Sequence, residues 1–467
     1  MRERAKTAAM RRRTLSALFA ALLVPGSALP LPQTISARAR AAEPDQQLTV
    51  IRDAETETLL HKIADPLFRA AGLSPGLVRI IVVRDRAINA FVSTGNRMFI
   101  NTGLIQQAGS GLEVAGTIAH ETGHIVHGDI SRLPEMAHDA MLQALGSLLI
   151  AAAAGVASRE GSVGVGTMMG ATSMLQRRML SFSRAQEEAA DLSAVTFLDR
   201  VGWSSRGLLA LFDRLEQQEA LQIDRQDPYL VSHPLTPARR EFVQHHLAKS
   251  PYRDSTLPAP LEEAFRMVQA KLDGFLEPPQ NVLRKYPGSS RDAPALYARA
   301  IALHRLGHSD DALVLLDRLI VQQPLSPWLV ELKGQILFES GQGQAALAAY
   351  RQAVRLAPEQ PLIHQSLAHV MIETDEPSLL RPAIAELEAA QRQERDDATT
   401  WHLLGIAWGR LGNLGEAHLA LAEEAMLADD IPVARRLARQ AAAALPAGPA
   451  KLRALDISNA VKKENRS

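Results

Sequence analysis

The second half of this 467-residue chain repeats itself, and that periodicity limits what the chain can become. Gly307 and Gly341, Ala312 and Ala346, and Pro324 and Pro358 are each 34 residues apart. Gly334 and Gly405, Gly341 and Gly412, and Ala346 and Ala417 are 71 apart, which is two periods with three extra residues. A period near 34 fits a pair of helices and the turns joining them. Such a unit cannot bury its apolar face alone and must stack on copies of itself.

The residue types resemble the tetratricopeptide repeat. Trp328, Leu332, Gly334 and Leu337 match its first helix, and Ala346, Tyr350, Ala353 and Pro358 its second. Trp401, Leu404, Gly405 and Trp408 open a later copy. The resemblance implies an all-α array over 293–445 that binds a protein partner on its concave face and does no chemistry itself. The three extra residues are expected around 374–378, and 446–467 reads as a C-terminal tail.

The N-terminus is different. Residues 1–42 carry eight basic side chains and one acid, with Arg11-Arg12-Arg13 ahead of a short apolar run at 15–24. That is the layout of a secretory signal, with cleavage after Ala28 or near Ala39-Arg40-Ala41 and a periplasmic destination. The whole chain balances 51 Lys and Arg against 51 Asp and Glu, and without residues 1–42 it keeps 43 bases against 50 acids. An acidic mature chain argues against a nucleic-acid partner. The chain has no cysteine, which excludes disulfides, thiolate metal sites, a cysteine nucleophile and a lipid-modified cysteine.

Residues 43–255 read as an α+β domain. Segments 77–83, 89–92 and 97–101 are the expected strands of a small antiparallel sheet, with Ser93-Thr94-Gly95-Asn96 as a turn. Helices are expected over 54–72, 111–129, 184–201 and 205–219. Residues 140–157 form an uncharged run of 18, short and alanine-rich. It reads as a buried or interfacial helix rather than a span, with peripheral membrane contact through 140–176. The proline-bearing stretch 256–292 is expected to be a linker with a short helix.

Chemistry concentrates in His120-Glu121-Thr122-Gly123-His124. On a helix, residues four apart share a face, so both imidazoles can hold one metal ion. Glu121 sits one residue round the helix, where it can act as general base without ligating. Gly123 costs roughly 1 kcal/mol against alanine inside a helix and is explained if another segment must come close. The plain alternative is a solvated helix with two histidines. A catalytic zinc needs a third protein ligand. A glycine at 127 and a histidine at 130 would mark one class, but the chain has His127 and Ile130. The remaining candidate is 183–191, where Glu187 can ligate and Asp191, four residues on, can orient a ligand imidazole. Glu188 is the competing ligand. His245 and His246 read as surface residues.

The pair HETGH and Glu187-Glu188-Ala189-Ala190-Asp191 resembles the M48 peptidase family. So do Asn89-Ala90-Phe91 with 98–104, and Ser232-His233-Pro234 with Arg239. The resemblance covers about 55–250 and implies a zincin-like (gluzincin) domain holding one Zn2+ on His120, His124 and Glu187. Glu121 would then be the catalytic base and Asp191 the residue behind a ligand. His233 would act near the metal, either on the oxyanion or in the open ligand position. Asn89, Ala90 and Phe91 would line the substrate edge, and Arg239 would contact substrate or brace its loop. An export signal and repeats beside such a domain imply a zinc endopeptidase for misfolded or unassembled exported proteins. The repeats would then engage outer-membrane assembly machinery. The rival is a chaperone or scaffold with a latent site.

Overall fold

A computed structural model describes residues 49–129, 184–221, 233–374 and 376–460, with side chains omitted at 219–221. The expected export signal, the run 140–157 and the membrane contact at 140–176 lie outside the described residues. Among the described residues, no helix is long and apolar enough to cross a membrane.

The first helix, α1 (Ala54–Ala70), starts at Asp53, whose side chain accepts from the Thr56 N–H at 2.9 Å. This is the capping interaction that satisfies a free helix-terminal donor. Its apolar side chains recur at helical spacing. Leu59, Leu60, Ile63, Ala64, Leu67 and Phe68 are all buried against the sheet and the metal-motif helix.

The sheet has four strands: β1 (Val50–Ile51), β2 (Arg79–Val83), β3 (Ala90–Ser93) and β4 (Arg97–Asn101), in the order β1-β2-β4-β3. The expectation of an antiparallel sheet needs correction. β2 and β4 run parallel, from Arg79 beside Arg97 to Val83 beside Asn101, so the sheet is mixed. The tight turn joining β3 to β4 makes an antiparallel hairpin, with positive φ at Gly95 and Asn96. The hairpin docks by its second strand, which puts β4 inside and leaves β3 at the edge. The apolar run Ile80-Ile81-Val82-Val83 suits a strand flanked on both sides.

After β4 come α2 (Thr102–Gln107) and α3 (Gly111–His127). Every residue of α3 from Gly111 to His124 is buried. The helix described over 184–201, α4, crosses it so closely that a Cβ at Gly123 would lie 3.0 Å from Ala190 Cα. α5 (Arg206–Leu221) and α6 (Pro237–Lys249) complete this half.

The stretch 256–292 holds α7 (Ala259–Leu276) and α8 (Pro279–Lys285), and α7 is built into both halves. Phe265, Val268 and Leu272 enter the first core, whereas Met267 enters the repeat core. Glu262 accepts from the Gly111 N–H at 3.1 Å, capping the metal-motif helix. Gln269 donates to the carbonyls of Ile105, Gln106 and Ala108.

The repeats are helix pairs: α9 (Ala293–Arg305) with α10 (Ser309–Gln322), α11 (Pro327–Glu339) with α12 (Gly343–Leu356), and α13 (Pro361–Glu373) with α14 (Pro377–Gln393). They continue as α15 (Ala398–Arg410) with α16 (Leu414–Leu427), then α17 (Ile431–Ala444) and α18 (Pro449–Ser458). Fold class therefore follows expectation: an α+β domain, then an all-helical array. The three extra residues lengthen α14, which has 17 residues where α10, α12 and α16 have 14. They do not fall at 374–378. Gly334 lets Tyr350 approach to 2.8 Å of where a Cβ would be, the small-residue crossing a helical hairpin needs. The region expected as a tail includes α18, which packs on α17 with Ala454 and Ile457 buried.

Candidate metal centre

α3 delivers His120, Glu121 and His124, α4 delivers Glu187 and Asp191, and the turn before α6 delivers His233, with all six side chains buried. The Nε2 atoms of His120 and His124 lie 3.2 Å apart. His120 Nε2 is 3.3 Å from Glu187 Oε2, and His124 Nε2 is 3.5 Å from Glu187 Oε1. Four ligand atoms, one each from His120, His124, Glu187 and His233, fall within 4.8 Å of one another.

These distances test the fit of a metal. A tetrahedral ion with bonds of ~2.0–2.1 Å separates its ligand atoms by about 3.3–3.4 Å. The three edges among His120, His124 and Glu187 straddle that value. Acceptor lone pairs brought together without a shared cation would repel, so the donor set suits zinc.

Each of the two imidazoles has a carboxylate behind it. His120 Nδ1 lies 2.9 Å from Asp191 Oδ1, leaving Nε2 to face the cluster. His124 Nδ1 lies 2.8 Å from Asp129 Oδ2. Such carboxylate partners fix the tautomer and raise ligand basicity. Burial pushes the His120 pKa down, but Asp191 and Glu187 outweigh it and raise it to about 9. Burial alone would raise Glu187 and Asp191. Hydrogen bonds from His120 to both, with His233 on Glu187 and Arg239 on Asp191, hold both well below the usual carboxylate range.

Arg239, expected near substrate or as a brace, lies beneath the cluster and is 1% exposed. It donates to Asp191 Oδ2 at 2.6 Å, Asp191 Oδ1 at 2.9 Å and the Pro234 carbonyl at 3.0 Å, and lies 2.8 Å from Glu187 Oε2. It also stacks 5.2 Å above the Phe212 ring. One guanidinium thus ties the Glu187–Asp191 face to the loop that carries His233.

His233 Nδ1 is 3.0 Å from Glu187 Oε1, and its Nε2 is 3.5 Å from Glu121 Oε1. Both Glu121 carboxylate oxygens are buried and accept no hydrogen bond among the described residues. Leaving such a group unsatisfied costs on the order of a few kcal/mol. Glu188, the competing ligand, is exposed. His127 bonds Ser193 Oγ at 2.9 Å, and His246 bonds Asp199 at 2.9 Å.

Asn89, Ala90 and Phe91 fall at the sheet edge, on β3 or just before it, and β3 packs against α3. The Asn89 carbonyl accepts from the Asn101 N–H at 3.0 Å. By the alternation of an antiparallel pair, the N–H and C=O of Ala90 and Val92 then point away from β4, to the outer edge. Phe91 stacks on Phe99 with centroids 4.9 Å apart.

Sequence reasoning missed Asp129. The available signal was Gly128, a helix-stopping residue one place past His127, followed at once by a carboxylate.

Comparison with known proteins agrees with this geometry. Residues 54–247 match peptidase family M48, and residues 326–425 match the tetratricopeptide repeat. The beta-barrel assembly-enhancing protease of Yersinia pestis is 24% identical over 379 residues, spanning 79% of this chain and 75% of that protein. The protein of the same name from Escherichia coli strain K12 is 25% identical over 382 residues, 79% of this chain and 74% of its own. A putative beta-barrel assembly-enhancing protease of Vibrio cholerae is 25% identical over 394 residues.

Proposed function

We propose that this chain, an M48 peptidase domain joined to tetratricopeptide repeats, is a periplasmic zinc endopeptidase. Its clients would be misfolded or unassembled exported proteins, chiefly those of the outer membrane. The observation that carries this is the buried, unbonded Glu121 carboxylate beside the convergence of His120, His124 and Glu187. A structural metal site has no use for that carboxylate.

Zinc held there supplies Lewis acidity, making water a better nucleophile near neutral pH and polarising a carbonyl. Glu121 takes the proton of the attacking water and passes it to the leaving amine. Asp191 and Arg239 keep His120 and Glu187 in place throughout. The client lies extended along β3 and pairs through backbone groups on the side of that strand facing away from β4. This reads unfolded chain rather than sequence. Relatives named for beta-barrel assembly support the choice of outer-membrane clients. On this reading 1–42 is the export signal, 43–255 the protease domain and 293–445 the repeats, which hold a client or the assembly machinery.

One observation favours a second, latent state. With Nδ1 3.0 Å from Glu187, His233 sits close enough to complete a four-ligand set and displace water.

The test is cleavage of casein and of an unfolded outer-membrane protein by the purified chain and by Glu121→Gln, with zinc measured in both. The variant keeps its zinc and loses about 10²–10⁴-fold in rate. Equal activity in the two would return the protein to the chaperone or scaffold reading.

A further inference from the structure

α3 ends at Gly128, whose φ of 68° lies in the left-handed region, with its N–H returned to the carbonyls of His124 and Ile125. A Cβ there would meet nothing, so the demand for glycine comes from φ alone. The reversal swings the next residue back along the helix. Asp129 therefore faces the last-turn histidine and reaches His124 Nδ1 at 2.8 Å while 9% exposed. The two nitrogens of an imidazole lie on opposite edges of the ring. Engaging Nδ1 from behind leaves Nε2 aimed at the cluster. Gln186, the residue before Glu187, also lies against the Asp129 carboxylate.

We propose that Asp129 is a positioning residue for the metal centre. It holds the His124 imidazole as Asp191 holds that of His120, and ties it to the segment that delivers Glu187.

The two supports are unequal. Asp191 divides its carboxylate between His120 and the guanidinium of Arg239, which draws off part of its charge. Around Asp129 the partners are His124, Gln186 and, through its charge, His127. A second tie, His127 Nε2 to Ser193 Oγ, fixes the same end of α3 to α4. The reversal that places Asp129 thus does two things at once: it ends the helix and sets the second ligand.

This inference rests on the metal reading above, and the experiment separates the two. Zinc affinity of the full chain is measured by competition with a chromophoric chelator in wild type, His124→Ala, Asp129→Ala and Asp129→Asn. Melting of each metal-free form is recorded alongside. Wild type binds zinc and His124→Ala does not. Asp129→Ala binds about 10–100-fold more weakly. Asp129→Asn keeps an oxygen that accepts from Nδ1 but loses the charge, so it recovers part of that loss and stays about threefold to tenfold weak. A role confined to ending the helix would lower metal-free melting and leave affinity alone. Parity of Asp129→Ala with a zinc-binding wild type overturns the proposal on its own. If that variant does not fold, parity of Asp129→Asn overturns it. A wild type that binds no zinc overturns both this and the function it serves.

Discussion

Among the described residues two buried clusters of charge solve the same problem differently. In the candidate metal centre, acceptor atoms of His120, His124, Glu187 and His233 converge on one point. At the seam between the halves, acceptors surround a donor instead. Lys271 of α7 gives to Asp53 Oδ1 at 2.5 Å and lies 3.2 Å from Glu55 Oε2, while Tyr297 of α9 donates to Glu55 Oε2 at 2.8 Å. Glu331 of α11 adds a third carboxylate, and one of its oxygens is buried without a partner. Convergent lone pairs call for a cation from outside. Interleaved donors and acceptors call for none, and burial there favours the protonated form of the surplus carboxyls. Burial first, and Asp53 with it, pushes Glu55 up despite Lys271. Burial pushes Glu331 up to about 7 even though Lys271 opposes it. A buried cluster is thus read by the direction its lone pairs point, not by its count of acids.

That contrast can be broken. The largest expected effect is at Lys271. Lys271→Ala leaves Asp53 and Glu55 buried without their cation and should cost about 3–5 kcal/mol at pH 8 in denaturant unfolding. The loss should shrink toward pH 5, where the carboxyls take up protons. A surface-like change under 1 kcal/mol would mean that the seam is not a cluster in the sense argued.

Gly123→Ala comes next. The added methyl meets Ala190 backbone at 3.0–3.1 Å and Ser193 Cβ at 3.2 Å, so α3 and α4 must part. Overpacking of this kind costs about 1–3 kcal/mol. Because α4 carries Glu187, zinc affinity should fall with stability, whereas Lys271→Ala should leave zinc affinity nearly unchanged. Isothermal zinc titration of both variants checks the difference.

The smallest effect has the opposite sign. Glu331 has a folded pKa of about 7 against an ordinary 4.5. The folded state therefore binds its proton more tightly than the unfolded state. The associated stability is complete below about pH 4.5 and is lost as pH rises through 7. Glu331→Gln should then stabilise the protein by about 1–2 kcal/mol at pH 8, discounted for partial solvent access, and by almost nothing at pH 4. Thermal melts at the two pH values measure it, and destabilisation at pH 8 would contradict the seam's electrostatics.

The same contrast explains what the sequence made legible. His120, Glu121 and His124 could be read because one helix dictates their spacing, and Glu187 with Asp191 because a second helix does the same. The seam could not. Asp53, Glu55, Lys271, Tyr297 and Glu331 come from four separate elements, and no local pattern links them. Asp129 escaped because its role depends on a left-handed glycine turning the chain back, not on periodicity. The parallel β2–β4 pairing escaped because strand order is settled by how the hairpin docks. Residues 256–292 looked like a linker because Pro258, Pro260, Pro278 and Pro279 resemble breaks. Pro260 and Pro279 instead fall in the first turns of α7 and α8, where a missing N–H costs nothing.

The central claim is that the cluster at His120, His124 and Glu187 is a metal centre. Zinc per chain in wild type, Glu187→Ala and Glu188→Ala tests it most directly, since the first glutamate is buried in the cluster and the second is exposed. The account predicts zinc in wild type and in Glu188→Ala and its loss from Glu187→Ala. Retention of zinc by Glu187→Ala, or its loss from Glu188→Ala, would contradict it.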